Sequence, residues 1–187
     1  MKEDIEIIPL FGAAVEQKIP EIAKLRIEIF QEYPFLYQGD EDYERRYLKK
    51  FSNSSEAIVI LSYHGNEIVG ISTGLPFREE DPSLHTNFLK HGLEPEEFFY
   101  FGESVLKKSY RGQGIGKRFF ALRQEHAVRL GYSKLCFCTV IRSDNDPRKP
   151  KNYHSLESFW NRMGFEKQSE LTCKISWKEI GETAESP

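Results

Sequence analysis

Apolar positions along this chain change their period several times, and each change marks an element. Ile5-Glu6-Ile7-Ile8-Pro9 alternates and ends on a residue that cannot donate to a ladder, which predicts a short edge strand. Ile22, Leu25, Ile29 and Phe30 then recur at helical spacing, and that helix must stop near Tyr33-Pro34, because proline restricts the residue before it. Asp40 is placed to cap a second helix running through Tyr43, Tyr47 and Phe51. Two apolar runs, 57–63 and 68–73, meet at Gly65-Asn66 and read as a hairpin. Residues 78–95 hold Pro82, Gly92 and Pro95 around Leu84, Phe88 and Leu89, an insertion with one brief helix.

The second half is denser in signal. Phe98 to Leu106 is aromatic and apolar on both alternating faces, as expected of a strand buried inside a sheet. After a glycine-rich stretch, Ile115, Phe119, Leu122 and Leu130 fall on one helical stripe that Gly131 terminates. A buried strand over 135–140, a helix around 156–163 followed by Gly164-Phe165, and a strand near 171–177 complete the order, with 181–187 expected to fray.

Between strand and helix lies Tyr110-Arg111-Gly112-Gln113-Gly114-Ile115-Gly116. Glycines there let the backbone bend and approach a ligand, while the first free N–H groups of the helix make an anion cradle suited to a pyrophosphate. The nucleoside-triphosphate loop is excluded, since Gly116-Lys117 is followed by Arg118 and position 111 is not glycine. The dinucleotide fingerprint is excluded as well, because its third glycine would fall on Lys117. The pattern Arg/Gln-x-x-Gly-x-Gly/Ala fits, and with it the chain resembles the GNAT superfamily of N-acetyltransferases. A tight turn without a ligand is the plainer alternative for such glycines.

The resemblance implies an α/β (α+β) fold with a mixed, mostly antiparallel central sheet flanked by helices, in one domain over 1–180. It implies acetyl-CoA as co-substrate and transfer to an amine of a small molecule or peptide by direct attack in a ternary complex. The rival is a catalytically silent acyl-CoA-binding sensor on the same fold. Cofactor contacts would come from Val105 and Leu106, as backbone donors to the thioester, and from Arg111, Gly112, Gln113, Gly114, Ile115 and Gly116 around the pyrophosphate.

Glu103 is the only charge between Phe98 and Leu106, and a carboxylate on a buried strand needs a partner or a purpose. It is the candidate general base; an ion pair with a neighbouring Arg or Lys is the equal alternative. The family's usual proton donor is a Tyr four residues before the Gly-Phe of the last helix, where this chain has Trp160. An indole gives no useful proton, so Trp160 is read as a wall for the pantetheine arm, and Tyr153 or His154 as a substitute acid. The acceptor-shaping loops would be 33–42 and 142–154. Tyr33, Tyr37, Asp40 and Asp42 are the candidate substrate contacts, although these aspartates could merely serve the helix start. Arg142, Arg148 and Lys149 suit a 3′-phosphate or an anionic part of the acceptor.

Composition narrows the partners. With 39% hydrophobic residues, 187 residues can bury one sizeable core, and a net charge of −3 gives no broad basic surface for nucleic acid or an anionic membrane. No apolar run approaches the ~20 residues that span a bilayer, and Met1-Lys2-Glu3-Asp4 does not open a signal peptide, so a cytoplasmic location is expected. A homodimer stays open. Cys136 and Cys138 have no metal-ligand spacing and poor geometry for a mutual disulfide, and read as core thiols.

Overall fold

The computed structural model describes residues 5–186; the Met1-Lys2-Glu3-Asp4 start and Pro187 lie outside them. In chain order the elements are β1 (Ile5–Leu10), α1 (Ala13–Phe30), α2 (Glu41–Asn53), β2 (Ile58–His64), β3 (Glu67–Pro76), α3 (Pro82–Lys90), β4 (Phe98–Leu106), α4 (Ile115–Arg129), β5 (Lys134–Cys136), α5 (Glu157–Arg162), β6 (Trp177–Lys178) and β7 (Glu185–Ser186). The five-stranded sheet runs β1-β2-β3-β4-β5, antiparallel except for the last pair. Helix α4 is the crossover that lets β5 lie parallel to β4.

Side-chain alternation sorts β2 cleanly: Val59 and Leu61 join the core formed with α1 and α2, and Ile58 and Ile60 join the core under α4. On β4 the alternation breaks. Phe99 and Phe101 face α4, but Val105 packs with Tyr100 on the α1/α2 side, and Leu106 returns to the α4 side. The cause is a bulge: Ser72 pairs with Ser104 and Gly74 with Phe101, so Thr73 opposes both Gly102 and Glu103. Glycine is required there, since a Cβ on residue 102 would stand 2.4 Å from Thr73 Oγ1.

Four expectations need correction. The strand expected over 135–140 pairs only through Cys136, and that expected near 171–177 survives only as β6. Around Phe137 the apolar side chains pack without a ladder, Phe137 lying 4.6 Å from Phe165, ring centre to ring centre, whereas Ile175 of the later stretch is exposed. The tail expected to fray turns back at Gly181, and Glu185–Ser186 pairs with Trp177–Lys178. Leu130, placed on the apolar stripe, is exposed at the helix end. Among the described residues, no helix is long and apolar enough to cross a membrane.

Candidate active site

The bulge decides where Glu103 points. On a regular strand it would share a face with Phe99 and Phe101; instead it enters the α1/α2 layer. There Oε1 contacts Arg26 Nη1, and Oε2 accepts from the Tyr47 hydroxyl at 2.8 Å. The Glu103 backbone N–H donates to Thr73 Oγ1 at 3.1 Å, which pins the bulge itself. Arg26 also donates Nε–H to Glu44 Oε2 at 2.5 Å, so one buried guanidinium serves two buried carboxylates. Burial alone would pull Arg26 down, yet Glu103, Tyr47 and Glu44 hold it above its ordinary value. Burial likewise pushes the Glu44 carboxyl up, against the pull of Arg26.

Tyr47 is the half-buried exit from this cluster. Its ring lies between two cations, with the Arg26 guanidinium 4.3 Å and Lys50 Nζ 4.0 Å from its centre. Tyr43, exposed, stacks against it at 6.4 Å. Burial first, and Glu103 next, hold the Tyr47 phenol well above its usual value, so it keeps its proton at neutral pH. Arg26, Glu44 and Tyr47 were not among the candidate site residues read from sequence, Tyr47 being placed there only on the apolar stripe of the second helix. The signal was present: Arg26 stands between Ile22 and Phe30 on the buried stripe of α1, and Glu44 shares that of α2 with Leu48 and Phe51.

The glycine turn forms at the start of α4. Gly112 and Gly114 have φ of +77° and +86°, and a Cβ on either would meet nothing within 4 Å, so the loop is open on that side. The helix's first internal bond runs from Arg118 N–H to Gly114 C=O at 3.2 Å, which leaves the amides of 115–117 ahead of the ladder. Gln113 braces the turn through Nε2 to Ser109 C=O at 2.9 Å. Arg111 faces the other way: Nε donates to Leu106 C=O at 2.9 Å, and Nη1 and Nη2 clasp Glu32 at 2.8 and 3.0 Å. Its side chain therefore ties the turn to the end of α1.

β4 and β5 pair only from Phe98↔Lys134 to Tyr100↔Cys136 and then part. Among the described residues, no strand lies beside that edge of β4 beyond Tyr100. Lys107 N–H donates to Val69 C=O at 2.9 Å, and alternation then turns the Val105 N–H toward β3 and the Leu106 N–H toward the open edge. Of the two expected thioester donors, Leu106 alone is free to act, and Val105 is corrected to a ladder residue of the core.

Trp160 packs against Phe137 at 5.2 Å on the far side of the parting. Tyr153 meets Tyr33 edge to face at 4.8 Å, so the candidate acid and one candidate substrate contact are brought together, while Glu103 is held elsewhere by Arg26 and Tyr47. Tyr37 is buried and donates its backbone N–H to Phe30 C=O at 2.8 Å. Asp40 accepts from Tyr43 N–H at 2.7 Å, the helix-capping alternative, and Asp42 is an exposed first-turn residue. Arg142 and Arg148, candidates for a phosphate, instead converge on Glu179, and Lys149 reaches Asp144 at 3.5 Å. Among the described residues, no group of three or more acidic, His or Cys side chains could hold a metal ion.

Comparisons with known proteins agree with this architecture. A family model described as "Acetyltransferase (GNAT) family" matches residues 21–165. The sequence has no match among curated proteins. Among solved structures, the aminoglycoside antibiotic 6′-N-acetyltransferase AAC(6′)-Ih from Acinetobacter baumannii is similar at 13% identity, covering 95% of this chain and 100% of the other, with a TM-score of 0.60. The acetyltransferase AAC(6′)-Iy in complex with a bisubstrate analogue, CoA-S-monomethyl-acetylneamine, gives 11% identity, 94% and 98% coverage and 0.59. An integron cassette protein from the mobile metagenome of V. cholerae gives 18%, 97% and 94%, and 0.56. At these identities the likeness is one of fold.

Proposed function

The chain belongs to the GNAT acetyltransferase family, and on that premise we propose that it moves an acetyl group from acetyl-CoA to an amine of a small molecule or peptide by direct attack. The observation that carries the reading is the open glycine turn, at the N-terminus of α4 and beside the edge where β4 parts from β5. Amides of 112–116 hold the pyrophosphate, where the dipole and unpaired N–H groups favour an anion. The Leu106 N–H donates to the carbonyl oxygen as it becomes negative.

An amine is mostly protonated at neutral pH, so a proton must leave before attack. Glu103 accepts it through Tyr47, whose hydroxyl hands its own proton to Oε2 while taking one from the amine. Arg26 positions that carboxylate. Tyr153, which burial and Tyr33 keep in its protonated form, is the hydroxyl available to the departing thiolate. Trp160 walls the pantetheine side with Phe137.

The test is acetyl-CoA offered with a panel of amines, reading free thiol. Aminoglycosides head the panel, because several neighbours in fold are named for acting on them; polyamines and peptides with free N-termini follow. Thiol release that depends on one of these amines supports the reading. Binding of acetyl-CoA with no amine-dependent release would replace it with the silent binder.

A further inference from the structure

We propose that Cys138 and Cys173 form a dithiol site that closes into a reversible disulfide on meeting a small-molecule disulfide. Their sulfurs stand 3.7 Å apart, although 35 positions separate them in the chain. A bond needs ~2.05 Å between the sulfurs, so an approach of ~1.7 Å completes it. Neither residue is held by a ladder: Cys138 lies two positions beyond the end of β5, and Cys173 lies in the irregular stretch before β6. Such backbone can supply the movement. Cys138 is exposed and Cys173 half-buried, so a reagent has access.

The third thiol is unlike these two. Cys136 is the last paired residue of β5, and burial pushes its thiol far up, away from the thiolate that attacks a disulfide. Cys173 differs because the neighbouring Cys138 thiol, 3.7 Å away, draws it below its ordinary value, which favours Cys173 as the attacking sulfur. The sequence of bonds follows. Cys173 thiolate attacks one sulfur of R–S–S–R, forming a mixed disulfide and expelling one thiolate. Cys138 then loses its proton and attacks Cys173 Sγ, and the second thiolate leaves. The protein is oxidised by two electrons, the small disulfide is reduced to two thiols, and the two protons that leave the cysteines end on those thiols.

Closure would fasten the segment that leaves β5 to the stretch that leads into Trp177, whose indole N–H donates to Phe35 C=O at 2.9 Å. That contact sits on the expected acceptor side. The experiment uses the reduced full chain in native buffer with oxidised glutathione, then alkylation, digestion and mass spectrometry without reductant. The expected result is loss of two of the three alkylatable thiols, a peptide pair joined through 138 and 173, Cys136 still alkylated, and full reversal by dithiothreitol. Cys138→Ser should accumulate glutathione on Cys173, because the resolving thiol is gone; Cys136→Ser should still cross-link. A 136–138 link, stable glutathione on both residues of the natural chain, or three thiols that stay alkylatable would each overturn the proposal, as would Cys138→Ser that takes no glutathione.

Discussion

Arg26 is the residue on which the acid–base reading rests, since two buried carboxylates share its single charge. Replacing one partner of such a group strands the others in low dielectric, so Arg26→Met is expected to cost ~3–5 kcal/mol, read as a lower urea midpoint. A midpoint within error of the natural chain would show that the cluster is more hydrated than its burial indicates. Glu103→Gln keeps shape and removes the base; turnover should fall by ~10²-fold or more, with acetyl-CoA affinity unchanged. Tyr47→Phe leaves the ring between its two cations and deletes only the hydroxyl that meets Glu103. If that hydroxyl relays the proton, turnover drops and binding does not; natural turnover in this variant would remove Tyr47 from the path. At the glycine turn, Gly114→Val forces a β-branched side chain into φ of +86° on the open side of the loop, where the pyrophosphate is proposed to lie. Calorimetry should then find acetyl-CoA binding lost in a folded protein.

At the scale of elements, β4 carries its meaning in one irregularity. The strand itself was legible in the aromatic run from Phe98, but its bulge was not. Strict alternation would send Glu103 to the α4 side, and nothing local to Gly102-Glu103 announces that Thr73 will oppose both. Gly102→Ala tests this, because its Cβ would collide with Thr73 Oγ1. We expect ~1–3 kcal/mol of destabilisation, the usual cost of overpacking, together with a fall in turnover as Glu103 loses its aim. Unchanged turnover would separate the bulge from catalysis. The glycine turn, hairpin and α2 cap were readable because each is set within a few residues. The later strands were not, since the alternating apolar pattern around Phe137 is satisfied by Phe165 and Trp160 rather than by hydrogen bonds. Helix α4 adds a pH dependence. Burial holds His126 below its ordinary value, and its Nε2–H meets Glu56 C=O at 2.8 Å. A lowered value in the fold means that the unfolded chain takes up the proton first, so stability falls as pH drops below ~6.5 toward the folded value. His126→Gln should lose less stability than the natural chain between those conditions in paired urea titrations.

Across the whole molecule, distant segments are fastened at Glu179, a residue no sequence pattern singled out. Its carboxylate meets Arg142 at 2.6 Å and also Arg148, its backbone bridges Tyr37, and the next residue, Ile180, donates to Leu36 C=O at 2.8 Å. Arg142 continues the join by donating Nε–H to Pro34 C=O at 2.8 Å. The 33–38 loop, the 142–148 loop and the C-terminal segment thus share one buried anion, and the first two are the loops expected to shape the acceptor site. Such convergence is invisible in sequence, because Arg142 and Arg148 read there as candidates for a phosphate, Glu179 as a surface charge, and the 33–38 loop they fasten lies more than a hundred positions away. Burial pushes the Glu179 carboxyl up, but its two arginines more than offset this and leave it below the usual range. A lowered carboxylate stabilises the fold above its unfolded value of ~4.3, and that contribution is lost as pH falls through the folded value. Glu179→Gln removes the charge and keeps the shape. If the fastening sets the acceptor loops, the variant should raise the acceptor Michaelis constant several-fold, while acetyl-CoA affinity and turnover at saturating acceptor stay near natural. Equal losses in turnover and coenzyme affinity would instead mean that Glu179 supports the fold as a whole, and an unchanged Michaelis constant would place the acceptor away from these loops.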